Sequence, residues 1–161
     1  MIEDLIQANE RYAQTFDKGG LPTPPARRLA VVTCMDSRML PSRFLGLEEG
    51  DAHIIRNAGG SAREALRSLV ISQQLLGTNA VVVIHHTRCG SLTFENDDLH
   101  TKVREHLGAD ASHIDFLPFA DLDKSVRDDV QFLKDSPLIA EDTLVWGFVY
   151  DVESGRLREV S

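Results

Sequence analysis

Two hydrophobic patterns alternate along the chain. Short, near-continuous aliphatic runs bounded by turn residues predict buried strands in LAVVTC (29–34), DAHIIRNAG (51–59), NAVVVIHH (79–86) and TLVWGFVYD (143–151). Between them, apolar residues recur at helical spacing. In SAREALRSLVISQQLLG (61–77), Ala62, Ala65, Leu66, Leu69, Val70 and Leu76 follow that period, and Gly77 supplies the stop. ENDDLHTKVREHLG (95–108) predicts a polar helix ending at Gly108, and residues 121–135 a further helix stopped before Pro137. Residues 3–16 predict an exposed, partly amphipathic helix. The Gly- and Pro-rich connector KGGLPTPPARR (18–28) detaches it from the body, and such an arm often packs on a partner subunit. VESGRLREV predicts a terminal hairpin turning at Ser154-Gly155.

Strands alternating with helices predict one α/β domain over residues 1–161. Its mainly parallel central β-sheet is flanked by helices, with an antiparallel edge strand and an N-terminal helical arm at 1–27. In open sheets of this kind, ligands bind beyond the carboxyl ends of the strands. Three such ends carry Cys34, the pair His85-His86, and Asn57-Ala58-Gly59.

At 161 residues the chain fits one domain with a sizeable core, and 42% hydrophobic and 26% charged residues are ordinary for a globular protein. A formal net charge of -8 disfavours nucleic acid as a partner. No apolar run approaches the roughly 20 residues of a membrane span. The stretch MIEDLIQANERYAQTF lacks the basic and apolar regions of a signal peptide, so the expected location is the cytoplasm. In that compartment the two cysteines, Cys34 and Cys89, are not expected to form a structural disulfide. Taken alone, they are most simply buried thiols.

Their neighbours change that reading. VVTCMDSR (31–38) ends an apolar run in a thiol followed by Asp36 and Arg38, and VVVIHHTRCG (81–90) sets His86 three residues before Cys89. An imidazole and a thiolate on one turn can grip one metal ion, and Cys34 arrives from another strand end. Together they make a tetrahedral zinc set with three protein ligands, which leaves the fourth position open, the pattern of a catalytic site. H-x-x-C alone is a weak motif; paired with C-x-D-x-R at a second strand end it is much stronger.

With these motifs the sequence resembles the β-class carbonic anhydrases, most of all the compact prokaryotic members. That family's C-x-D-S/A-R stands here as Cys34-Met35-Asp36-Ser37-Arg38, and its H-x-x-C-G as His86-Thr87-Arg88-Cys89-Gly90. RNAG (56–59) and RSL (67–69) extend the match. The resemblance implies one zinc ion per chain on Cys34, His86 and Cys89, an Asp36–Arg38 dyad beside it, and a homodimer or higher homo-oligomer. It implies reversible hydration of carbon dioxide to bicarbonate and a proton. Asp36 would accept a hydrogen bond from the metal's water, and Arg38 would hold Asp36 ionised and oriented. Gly59 and Gly90 would border the substrate pocket, Gly59 by shaping the loop and Gly90 by close backbone approach or by turning the chain. Departures are NAGG in place of a common N-A-G-N and Arg88 where some compact members have Asp.

Other readings stand beside this one. The same site in some relatives hydrolyses carbonyl sulfide or carbon disulfide, linear molecules open to the same attack. Cys89 and His86 could instead be a nucleophile and its base, which leaves Cys34 without a role. A zinc-stabilised binding protein has no use for the dyad, and Asp36–Arg38 alone would be an ordinary ion pair. His85 reads as a packing residue or a proton relay, His53 as structural, and His100, His106 and His113 as solvated.

Overall fold

The computed structural model describes Met1–Ser161. Five strands form one sheet: β1 (Leu29–Cys34), β2 (Ala52–Asn57), β3 (Ala80–His86), β4 (Leu144–Tyr150) and β5 (Leu157–Glu159). Their order is β2-β1-β3-β4-β5, with β5 antiparallel to β4 and every other pairing parallel. The expected fold class is therefore observed. The central strands are buried because both faces are covered: Ala30, Val32, Val81, Val83, Val145 and Val149 pack on one side, and Val31 and Ile84 belong to a second cluster with Met39 and Leu47. A continuous aliphatic run suits β1, where every position after Leu29 is buried, while in β4 Leu144 and Trp146 stay exposed.

Two helices cover the first face. In α3 (Ala62–Leu76), Ala62, Ala65, Leu69 and Ser72 are buried; in α5 (Leu122–Asp135), Val126, Asp129, Val130 and Leu133 are. In each helix these positions recur at helical spacing and form one stripe. Fully burying Leu69 or Leu133 contributes about 1.5–3 kcal/mol each. Ser61 caps α3 by accepting the Glu64 N–H, and Gly77 ends it in the left-handed conformation.

Two helices lie outside this core, and a short third one packs on the second cluster through Phe44 and Leu45. α1 (Ile2–Ala13) has no buried residue and stops earlier than the sequence pattern predicts. Tyr12 ties it to the body by donating to Glu49 at 3.0 Å, and the connector pairs Ala26 N–H and Arg27 N–H with the carbonyls of Gly50 and Asp51. α4 (Asn96–Leu107) is the polar helix expected, likewise without a buried residue. A short helix, α2 (Pro41–Leu45), was not expected; Pro41 opens it and left-handed Gly46 closes it.

The strand order reverses beside β1, which runs to β2 on one side and to β3 on the other. The crevice at the carboxyl ends of β1 and β3 lies at this switch point, where open α/β sheets place their ligands. His53 is structural as expected, its Nδ1 lying 2.7 Å from Ser72 Oγ. His100 is a correction. It is half-buried, bonds the Ile114 carbonyl through Nε2 at 2.8 Å and packs on Phe116, because the segment after α4 folds back over it. His106 and His113 are exposed as expected.

Candidate metal centre

Cys34 ends β1, His86 ends β3, and Cys89 follows one turn later; all three are buried. Their donor atoms lie within 4.8 Å of one another. The parallel pairing of β1 with β3 brings the two strand ends together, Thr33 standing opposite Ile84. After His86 the chain turns back through Arg88, whose φ of 55° is left-handed. Thr87 anchors this turn: its N–H donates to the Tyr150 carbonyl at 3.0 Å and its hydroxyl to Asp151 at 3.2 Å.

The tautomer of His86 follows from its surroundings. Nδ1 lies 2.9 Å from the Thr87 carbonyl, which only accepts, so Nδ1 carries the proton. Nε2 then presents a lone pair toward the two thiols. It is the one buried side-chain nitrogen or oxygen without a hydrogen-bond partner in the protein. Leaving such an atom unsatisfied costs about 1–3 kcal/mol. Two sulfurs and one orphaned imidazole nitrogen so close together could hold one metal ion, and the chemistry of these donors fits zinc.

The electrostatics agree. The adjoining Cys89, then His86 and the N–H groups of Asp36 and Gly59, bring the Cys34 thiol down against the cost of burial. Cys89 is pushed up, first by sharing its proton with Cys34 and then by burial. Burial pulls His86 down, but the nearby Cys34 sulfur, the Thr87 carbonyl and the charge of Asp36 outweigh it and leave the ring above its ordinary value.

Asp36 and Arg38 form a bidentate pair, Nε to Oδ1 at 2.9 Å and Nη2 to Oδ2 at 2.7 Å, and the Arg38 N–H adds a third bond to Oδ1 at 2.9 Å. The Arg38 side chain is the main cause holding the Asp36 carboxyl well below the usual range. Asp36 Oδ2 lies 3.7 Å from His86 Nε2, so the carboxylate borders the space the three donors face. Arg38 also donates to the Arg88 carbonyl at 3.1 Å and so ties the two motif loops together.

The RNAG segment supports this floor. Arg56 donates to the carbonyls of Cys34 at 3.0 Å and Asp36 at 2.6 Å, a role its place in a strand did not reveal. Asn57 exchanges two hydrogen bonds with the backbone of Ser61, closing the 58–61 turn. Gly59 has φ +75°, and a Cβ there would stand 2.8 Å from Ser91 Oγ. Gly60 has φ +74°, and its Cβ would stand 2.9 Å from the Cys34 nitrogen. A Cβ at Gly90 meets nothing within 4 Å, so packing inside this chain makes no demand for glycine there. Beside the turn lies a cavity of about 340 Å³ bordered by Gly59, His85, Phe119 and Ser125, but by none of the three donors nor the Asp36–Arg38 pair.

Comparison with known proteins follows the same lines. The carbonic anhydrase family profile matches residues 29–157. Beta-carbonic anhydrase 1 of Mycobacterium tuberculosis is 40% identical over 164 residues, covering 100% of this chain and 98% of that protein. The crystal structure of carbonic anhydrase from Streptococcus mutans superposes with a TM-score of 0.95 at 49% identity, covering 99% of this chain and 97% of that one. A carbon disulfide hydrolase of Saccharolobus solfataricus is 34% identical over 183 residues, covering 98% of this chain and 88% of that protein.

Proposed function

The chain belongs to the β-carbonic anhydrase family and is an enzyme of that class, a lyase; from this premise we propose that its reversible hydration of carbon dioxide runs at one zinc ion held by Cys34, His86 and Cys89. The observation that carries the proposal is the orphaned Nε2 of His86, buried against two thiols and bordered by an ionised carboxylate. When bound, zinc supplies Lewis acidity that makes water a nucleophile near neutral pH.

The chain's own residues direct that nucleophile. Asp36, held ionised, is an acceptor only; it takes a hydrogen bond from the attacking water and leaves an oxygen lone pair free for the carbon. Arg38 fixes the carboxylate in one plane through its two parallel bonds. Arg56 fixes the backbone on which Asp36 stands. Gly59 and Gly90 border the space left for a small linear substrate.

Two further readings belong to this proposal. The exposed Ile2, Leu5, Ile6 and Phe16 of the N-terminal arm lie on a second copy of the chain in a homodimer, since nothing in the chain itself covers them. No helix is long and apolar enough to cross a membrane, and thiols that must stay reduced to bind metal suit the cytoplasm.

A stopped-flow hydration assay with carbon dioxide on metal-replete protein, with carbon disulfide hydrolysis in parallel, tests the substrate. Carbon disulfide is the second reading because hydrolases of it are among the relatives; the higher identities belong to carbonic anhydrases. Turnover of carbon disulfide without hydration of carbon dioxide would reverse the assignment.

A further inference from the structure

His85 and His86 are adjacent in β3, so their side chains leave opposite faces of the sheet. His86 turns to the thiols. His85 turns to α3 and α5, and the groups around it form a network the reaction does not use. Its Nε2 lies 3.2 Å from both the Gly60 carbonyl and Asp129 Oδ2, and its Nδ1 lies 2.7 Å from Ser125 Oγ. The ring stacks on Phe119, centroids 5.3 Å apart. Gly60 and Asp129 offer only acceptors to Nε2, so that nitrogen carries a proton and donates. Asp129 is itself buried, and the same Oδ2 accepts the Ala62 N–H at 2.8 Å. One carboxylate oxygen thus grips the first residue of α3 and the ring that holds the Gly60 carbonyl, clamping the 58–61 turn from behind.

That turn is packed directly on a zinc ligand. The missing Cβ of Gly60 would meet the Cys34 nitrogen at 2.9 Å and the Thr33 carbonyl carbon at 3.0 Å. No slack separates the turn from the ligand, so movement of one displaces the other.

We propose that Asp129 is a positioning residue for the metal centre: through His85 and the 58–61 turn it fixes where Cys34 stands, from the opposite face of the sheet. The proposal rests on the zinc site described above. Its chemistry is that of groups behind the ligands, whose loss weakens metal binding by about 10- to 100-fold in other sites.

The experiment measures zinc affinity by chelator competition, and the cobalt–thiolate absorption of cobalt-loaded protein, for wild type and four variants. Asp129→Ala is expected to weaken zinc about 10- to 100-fold and to shift the cobalt absorption. Asp129→Asn keeps an oxygen for both donors and should restore near-wild-type affinity and absorption. Gly77→Ala strains the far end of α3, outside the turn; it should lower the melting temperature yet leave affinity and absorption unchanged. His85→Phe keeps the stacked ring and the Asp129–Ala62 bond but loses the link to Gly60. It should reproduce the affinity loss, and it decides the matter if Asp129→Ala does not fold. Wild-type affinity and absorption in Asp129→Ala or His85→Phe would overturn the proposal, whatever their melting temperatures. So would an equal loss in Gly77→Ala, since general loosening of α3 would then suffice. A wild-type protein with no cobalt–thiolate absorption and no zinc binding would instead refute the zinc site itself.

Discussion

Substitution of Gly60 by alanine separates backbone strain from packing at the metal centre. Gly60 has φ +74°, where an L side chain costs about 1–2 kcal/mol. Its new Cβ would also stand 2.9 Å from the Cys34 nitrogen, 3.0 Å from the Thr33 carbon and 3.2 Å from the Ile84 oxygen. All three are backbone atoms of central strands and cannot rotate aside, so overpacking adds about 1–3 kcal/mol. The sum, about 2–5 kcal/mol, is a large share of the 5–15 kcal/mol that holds a typical domain. At about 2–4 °C per kcal/mol for a chain of this size, the melting temperature should fall by roughly 4–20 °C. Gly77 provides the control. Its φ is +73°, but an added Cβ meets nothing within 4 Å. Gly77→Ala should therefore show the strain alone, about 1–2 kcal/mol or roughly 2–8 °C. Thermal melts followed by circular dichroism read both variants, and chelator competition reads their zinc. Gly60→Ala should also weaken zinc, because the atoms that must yield belong to a ligand; Gly77→Ala should not. Equal melting temperatures and equal zinc affinities in the two variants would refute the claim that the turn is packed on Cys34 without slack.

Other consequences follow from the same geometry. Arg38→Ala should lower kcat/KM for carbon dioxide about 10- to 100-fold while zinc content stays unchanged, since it frees Asp36 from its plane and lets it close on the metal; steady-state hydration with elemental analysis reads both. Zinc binding to the metal-free chain at pH 7 should release at least one proton, because Cys89, pushed up by burial and by the neighbouring Cys34, keeps its proton until metal binds. Apparent affinity should therefore rise with pH, about tenfold per unit for each proton released, and titration calorimetry in buffers of different ionisation enthalpy counts them. Deleting residues 1–20 should weaken the homodimer; sedimentation of the intact chain as a monomer at micromolar concentration would contradict the reading of the arm.

The strands and long helices were legible because each carries its cause locally. Val81 to Ile84 are aliphatic because the strand is covered on both faces, and the stripe of α3 repeats over four turns. α2 was not legible because five residues complete too little of a period to register, although Pro41 and Gly46 mark its ends. The three candidate ligands and the dyad could be named from two short motifs at strand ends, since parallel pairing brings such ends together. Arg56 escaped notice because its partners, the carbonyls of residues 34 and 36, come alongside only through strand register. The link from His85 to Asp129 spans 44 residues, and nothing in either neighbourhood points to the other. His100 read as a solvated residue of a polar helix; the chain that folds over it comes fourteen positions later.

The most direct test of the central claim is zinc content measured alongside carbon dioxide hydration, in protein purified without chelator and in Cys34→Ser, His86→Ala and Cys89→Ser. The expected result is about one zinc per chain in the wild type, with metal and turnover lost together in each variant. Full activity at a zinc content near zero, or a Cys89→Ser protein that keeps its zinc and loses only turnover, would contradict it.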